Sequence, residues 1–396
     1  MNFIRHIFGI LATLAFTVVY TFTSFGGGIN RELPETPEDF EPVLRFIACS
    51  DCHIDDDDER DEKVRFVDMF KDSYRYAESC DYDKIDAIII AGDIVNHGYD
   101  MEYEIFNRLV EENKKDETQL LTCMGNHEFI AYRKTDASVG YEKYKQYINE
   151  EVDTHVVING FHFIGFSYDD NGRTFEGKLE WLEAQLDAAT AEDPTKPVFV
   201  YQHPHPTLTV YGSVYWSDTE IGSVLKKYPQ IINFSGHSHY AASDPRSIWQ
   251  GSYTEIGTAS TRSVNDDSDY YGEEEAPGET GTCWIVEVDA RGNTRLQLYD
   301  IANHSFFEDC EYYLTDVANR KAHRYTWNNM KSLDTAPQFP ENAQATLTRN
   351  EDGKVILQFP DAKGYWDAEN YKITVKSSRL KTVWSETVMS ELSATG

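Results

Sequence analysis

Val43-Leu44-Arg45-Phe46-Ile47-Ala48 runs through Cys49 and Ser50 into Asp51-Cys52-His53. A short apolar run that stops at ligand-type side chains reads as a strand buried on both faces, with chemistry at its carboxyl end. The figure returns four times. Ala87-Ile88-Ile89-Ile90-Ala91 ends in Gly92-Asp93, with Asn96 three residues on, and Leu120-Leu121-Thr122-Cys123-Met124 ends in Gly125-Asn126-His127-Glu128. Pro197-Val198-Phe199-Val200-Tyr201 leads to His203-Pro204-His205, and Ile231-Ile232-Asn233-Phe234 to Gly236-His237-Ser238-His239. A sixth run, Phe161 to Phe166, has no such ending.

Between the runs lie helical patterns. Val64, Val67, Phe70, Tyr74 and Ala77 fall at three- and four-residue steps, as do Leu179, Leu182 and Leu186, and Ile221, Val224, Leu225 and Tyr228. Each set places one apolar stripe on a helix face. Strand–helix alternation of this kind predicts an α/β fold whose sheets are covered by helices. In such a sheet the carboxyl ends of the strands share one edge, where sites form. Asp51, His53, Asp93, Asn126, His203, His237 and His239 would then converge as metal ligands. Carboxylate, imidazole and amide oxygen suit a hard-to-borderline cation. Seven donors exceed one four-coordinate ion and suit two ions sharing a carboxylate. Singly each piece has an ordinary reading: Gly-Asp is often a turn, Asn126 can cap a helix, and a histidine after a strand is usually solvated. Five in order, each closing a predicted strand, are not independent accidents.

In this order, DxH, GDxxN, GNHE, H and GHxH, the chain resembles the calcineurin-like metallophosphoesterases. The motifs stand as Asp51-Cys52-His53, Gly92-Asp93-Ile94-Val95-Asn96, Gly125-Asn126-His127-Glu128, His203 and Gly236-His237-Ser238-His239, within residues 43–300. The resemblance implies an α/β four-layer sandwich, two mixed β-sheets flanked by helices. It implies that Asp51, His53 and His239 hold one metal, that Asn126, His203 and His237 hold the other, and that Asp93 bridges them. The implied cofactors are two divalent metal ions, manganese, iron or zinc. His127 matches the family's histidine that faces substrate without binding metal. His205 competes for the role assigned to His203, which is preferred because it directly follows the strand, as in the family's pattern.

The implied reaction is hydrolysis of a small phosphodiester or phosphomonoester. Two divalent ions lower the pKa of a shared water, the resulting hydroxide attacks phosphorus in line, and the metals neutralise phosphoryl charge. His127 would protonate the leaving alkoxide or hold a phosphate oxygen. Purple acid phosphatases resemble the pattern but carry a tyrosine ligand after Gly-Asp and lack the first histidine; here Asn96 and His53 are present. Serine/threonine protein phosphatases carry Asp-Arg where this chain has Asn96-His97. The pattern is closer to the bacterial phosphodiesterase and general phosphohydrolase branch.

Lys and Arg total 36 against 68 Asp and Glu, a formal net charge of −32. Such a surface repels polyphosphate, so no nucleic-acid polymer is expected as partner. The six cysteines are too sparse for a disulfide scaffold and read as buried thiols, with at most one bridge. Arg5 precedes an apolar run from Ile7 to Phe22, and no acidic residue occurs before Glu32. Residues 1–30 therefore read as a signal peptide or membrane anchor, and the protein as secreted or attached to the cell surface.

The catalytic domain is expected over 41–302, closing on a hairpin of Trp284–Val288 and Thr294–Tyr299. Ser260 to Thr280, with Tyr270-Tyr271 and Glu273-Glu274-Glu275, reads as an exposed loop and a candidate lid. Asp55 to Glu59 reads as a solvated loop capping the next helix, or as an accessory cation site. Tyr211, Tyr215 and Trp216 either pack the loop or receive an aromatic leaving group. Residues 303–340 form an extension and linker, and 341–396 a β module with strands at Ala343–Thr348, Lys354–Phe359 and Tyr371–Val375. This module resembles part of a fibronectin type III domain. A full sandwich takes seven strands and about 100 residues, and about 55 follow Pro340, so the module is incomplete here, the chain is a fragment, or the likeness is false.

Two other functions compete. A surface adhesin with a catalytically idle phosphatase-like scaffold would be favoured by loss of a metal ligand, and none is missing. A nuclease is disfavoured by the acidic balance.

Overall fold

The computed structural model describes residues 32–56, 61–169, 172–265, 280–350, 353–360, 362–364, 370–376 and 379–389. The signal or anchor segment, Tyr270-Tyr271 and Glu273–Glu275 of the candidate lid, and Asp57–Glu59 of the acidic run lie outside the described residues.

In chain order the elements are β1 (Pro42–Cys49), α1 (Glu62–Glu78), β2 (Ala87–Ala91), α2 (Asp100–Asn113), β3 (Gln119–Cys123), α3 (Ser138–Tyr147), β4 (Thr154–Ile158), β5 (Phe161–Gly165), α4 (Leu179–Glu192) and β6 (Val198–Tyr201). There follow β7 (His205–Pro206), β8 (Ser217–Asp218), α5 (Ile221–Leu225), β9 (Ile231–Ser235), β10 (Ile248–Gln250), β11 (Thr254–Gly257), β12 (Thr282–Asp289), β13 (Thr294–Asp300), β14 (Ser305–Leu314) and α6 (Trp327–Leu333). Two six-stranded sheets result, ordered β14-β13-β12-β1-β2-β3 and β10-β11-β9-β6-β5-β4. The first is parallel from β1 to β3 and antiparallel beyond. The second is parallel over β11-β9-β6-β5 with antiparallel edges.

Successive side chains of a strand point to opposite faces, and this sorts the core into two clusters. Leu44, Phe46 and Ala48 of β1, Ala87, Ile89 and Ala91 of β2, and Phe199 and Tyr201 of β6 enter the cluster between the sheets. Ile47, Ile88, Ile90, Val198 and Val200 face the other way, onto the helices. Phe46 meets Phe163, Phe199 and Phe234 across the sheet interface at ring-centroid distances of 5.2, 4.8 and 5.8 Å. The fold is therefore the four-layer α/β arrangement, two mixed sheets flanked by helices.

Three expectations need correction. On α1 Val64 is 56 % exposed; the buried stripe runs through Phe66, Met69, Phe70, Ser73, Tyr74 and Ala77. These positions hold the helical period more closely, so they, and not Val64, face the sheet. Residues 303–340 are more than an extension and linker, because β14 pairs with β13 and sends Phe307, Cys310, Tyr312 and Leu314 into the cluster between the sheets. Asp55 is not an open cation site: it accepts from Asn96 Nδ2 at 3.3 Å and faces Lys63 Nζ at 3.5 Å.

All six cysteines are free thiols, five of them buried. Beyond α6, β15 (Thr346–Arg349) pairs with β16 (Val355–Gln358), and β17 (Asn370–Lys376) with β18 (Thr382–Met389), each antiparallel. The last strand was not expected, although Thr382-Val383-Trp384-Ser385 carries the β-branched and aromatic content of one. No described helix is long and apolar enough to cross a membrane.

Candidate metal centre

The loops after β1 and β2 run side by side. Asp51 N donates to Gly92 O, His53 N to Asp93 O and Ile54 N to Ile94 O, each at 3.0 Å. This pairing sets Asp51 and His53 against Asp93. From the second sheet, Gly236 N donates to His203 O at 3.0 Å, and His237 N to Asp51 Oδ2 at 3.0 Å, which ties the loops after β6 and β9 to the loop after β1. Asp51, His53, Asp93, His237 and His239 all have left-handed backbone, with φ of 53°, 47°, 50°, 75° and 57°. Side-chain-bearing residues adopt that region at a cost of about 1–3 kcal/mol each. Here it turns the chain sharply at each strand end and aims the side chain inward. Gly236 has no room for a Cβ, which would meet Asp51 Oδ2 and Ser50 Oγ.

All seven predicted donors converge. Ligand atoms of Asp51, His53 and His239 lie within 4.8 Å of one another, as do those of Asp93, His203 and His237. Asn126 Oδ1 joins the second group, 3.2 Å from His203 Nε2. Asp93 Oδ2 stands 3.0 Å from His203 Nε2 and 3.9 Å from His53 Nε2, between the groups. His203 Nδ1 donates to the Ala91 carbonyl at 2.9 Å, which turns Nε2 inward. That single nitrogen then faces Asp93 Oδ2, Asn126 Oδ1 and His237 Nδ1 at 3.0 to 3.2 Å. His239 Nε2 likewise faces His53 Nε2 at 3.0 Å and Asp51 Oδ1 at 3.1 Å. One hydrogen cannot serve so many lone pairs. Lone pairs crowded on a common point fit a cation at each group.

The electrostatics agree. Burial works to raise the Asp51 carboxyl, but the charges of His239 and His203 outweigh it and hold it well below the usual range. Asp93 is likewise lowered, with burial opposed by His203 and His127. Burial would lower His203, yet Asp93 and Asp51 push it up to about 10. The carboxylate pair thus draws positive charge to its centre. His53 is pushed down to about 3 by burial and by the facing His127, and His237 to about 3 by burial and His203. Neutral imidazoles are the form that coordinates metal.

These shifts set a pH window for the metal-stripped protein. Asp51 and Asp93, lowered on folding, contribute stability that is complete above their unfolded values near pH 4 and lost as pH falls further. His203, raised on folding, contributes fully below its unfolded value near pH 6.5 and loses that contribution as pH rises toward 10. His53 and His237, lowered on folding, stay neutral in the fold while their unfolded forms gain protons. They cost stability as pH falls below about 6.5. Thermal melts after chelation should therefore peak at about pH 6.5. A maximum above pH 8 would contradict the assigned shifts.

Of the two histidines left open after β6, His203 is at the centre. His205 is buried and directed elsewhere, bonded to Ser235 and Ser238. His127 N donates to Asp93 Oδ1 at 2.8 Å, and its Nδ1 donates to the Asn96 carbonyl at 2.7 Å. Its Nε2 is then 3.9 Å from Asp93 Oδ2, on a side chain 26 % exposed.

Several supporting groups were not legible in advance. Glu128 accepts from Ile94 N, Val95 N and Gly125 N at 2.8, 3.2 and 2.6 Å, joining the loops after β2 and β3. Burial, then the Asp93 charge, raises its carboxyl to about 8. Ser260 Oγ donates to Asp51 O at 2.9 Å. Among the aromatics, Trp216 meets His237 edge-on at 5.2 Å. Tyr211 instead packs on Tyr240 and lies under the Arg246 guanidinium, 3.9 Å from its ring centroid.

The calcineurin-like phosphoesterase family matches residues 44–241, half of the chain. The chain belongs to this family. Curated relatives include a probable glycerophosphodiester phosphodiesterase GpdQ of Arcobacter nitrofigilis, 27 % identical over 168 residues, covering 39 % of this chain and 57 % of its own length. Glycerophosphodiester phosphodiesterase GpdQ of Enterobacter lignolyticus is 25 % identical over 166 residues, covering 39 % and 56 %. The chain thus spans little more than half the length of these relatives. Among solved structures, purple acid phosphatase PPD1 from yellow lupin (Lupinus luteus) seeds aligns over 70 % of this chain and 55 % of its own, with TM-score 0.49 and 12 % identity. As a member of its family, this metallophosphoesterase has His/Asp clusters that fit a dinuclear metal site.

Proposed function

We propose that this metallophosphoesterase hydrolyses a small phosphodiester at a centre where Asp51, His53 and His239 hold one divalent ion, Asn126, His203 and His237 the other, and Asp93 bridges them. The observation that carries this reading is Asp93 Oδ2, standing between the two donor groups. Bound there, two divalent ions would supply an activated water and neutralise charge on the phosphoryl oxygens. The chain's own residues do the rest. His127, its Nδ1 proton committed to the Asn96 carbonyl, presents Nε2 to the leaving-group oxygen and donates a proton there. Trp216 beside His237 offers an apolar wall to the leaving group.

The glycerophosphodiester phosphodiesterase names of the GpdQ relatives support a diester over a monoester. The apolar run Ile7–Phe22 supports export, with the protein secreted or held at the cell surface. The idle-scaffold reading has no observation in its favour, since every donor converges.

With manganese added, bis(p-nitrophenyl) phosphate is expected to turn over at least about tenfold faster, by kcat/KM, than p-nitrophenyl phosphate. A reversed ratio would assign the enzyme to monoesters. Protein that retains two ions per chain and hydrolyses neither would refute the function.

A further inference from the structure

The GHSH loop carries two left-handed residues, His237 and His239, with Ser238 between them. A backbone this strained persists only where its surroundings hold it. Behind Ser238 runs a line of buried polar side chains that the chemistry does not use. Ser238 Oγ is 2.9 Å from His205 Nε2, and His205 Nδ1 is 2.7 Å from Ser235 Oγ. Ser235 Oγ donates to Glu255 Oε1 at 2.6 Å, and Asn233 Nδ2 donates to both Glu255 oxygens at 2.8 Å. Ser235, His205, Ser238, Asn233 and Glu255 are all buried.

A neutral imidazole has one N–H and one lone pair. With the Ser235 hydroxyl committed to Glu255, Ser235 Oγ accepts from His205 Nδ1–H. His205 Nε2 then accepts the Ser238 hydroxyl. Ser238 Oγ in turn accepts from Tyr240 N at 3.2 Å, beyond the second strained histidine. The line is anchored at both ends, on β11 through Glu255 and on the metal loop through Ser238.

We propose that His205, anchored through Ser235 to Glu255, is a positioning residue that fixes Ser238 and so sets the spacing of His237 and His239, one ligand of each metal group. This rests on the two-ion reading of the centre. Partners outside a metal's own ligand set commonly change its affinity 10–100-fold, and this one acts on both ions through one hinge residue.

The test uses the full chain loaded with manganese. Ions retained per chain are counted by elemental analysis, affinity is read by competition with a chelating indicator, and the pairing of the ions by electron paramagnetic resonance. Wild type is expected to hold two ions with a spin-coupled signal. His205→Ala and Ser238→Ala are each expected to weaken manganese binding about tenfold or more and to replace the coupled signal with that of isolated ions. If Ser238 responds to His205 alone, the double variant is no weaker than His205→Ala. Two ions held with wild-type affinity and coupling in Ser238→Ala would overturn the proposal, and that variant deletes one oxygen and decides the matter even should His205→Ala fail to fold. A wild type holding fewer than two ions would instead refute the two-ion reading.

Discussion

Asp93→Ala is expected to lower turnover by on the order of 10³-fold or more and to leave the protein unable to retain two ions. Asp93 has three roles in one side chain. Oδ2 stands between both donor groups. Oδ1 accepts the His127 amide at 2.8 Å and so fixes the chain that carries His127. Its charge, with that of Asp51, pushes His203 up to about 10. Asp51 already belongs to the other donor group, and Glu128, a nearby buried carboxylate outside the donor set, is already bonded to three backbone amides. Asp93→Asn should keep the amide contact and much of the fold while losing the bridge, so melting temperature and turnover should separate in that variant. Elemental analysis and steady-state kinetics on manganese-loaded protein check both; undiminished turnover in Asp93→Ala would defeat the assignment of the centre.

His127→Ala should act differently. General acid catalysis contributes roughly 10²–10⁴-fold, and only where the leaving group needs a proton. An alkyl phosphodiester should therefore lose kcat by about that factor, whereas bis(p-nitrophenyl) phosphate, whose leaving group departs as a stable anion, should lose far less. Metal content should not change, since His127 is assigned to substrate. His127 also lies within ligand distance of His53 and Asp93. Loss of an ion in His127→Ala would show it to be a ligand, and equal losses on both substrates would remove its role as proton donor.

The site was more legible than the fold around it. Strands buried on both faces leave unbroken apolar runs, so β1, β2, β3, β5, β6 and β9 stand out, and a polar residue of ligand type at their ends is conspicuous. Strands such as β4, with His155 and two valines partly exposed, and β14, which mixes aromatic and acidic residues, blend into loop-like texture. The helical stripe of α1 was displaced because Val64 and Phe66 are equally apolar on paper, and only the sheet beneath decides which is covered.

Sequence alone singled out the candidate donors, their order and the layered α/β class, because residue type and local period are written in single stretches of chain; the substrate role proposed for His127 came only with the family resemblance. Tertiary structure decided which of His203 and His205 reaches the centre, which carbonyls orient His203 and His127, and that five donors sit on left-handed backbone. Those features depend on hydrogen bonds between residues roughly 30 to 210 positions apart. No local pattern encodes such pairings; they exist only once the two sheets have packed and brought their strand ends to one edge.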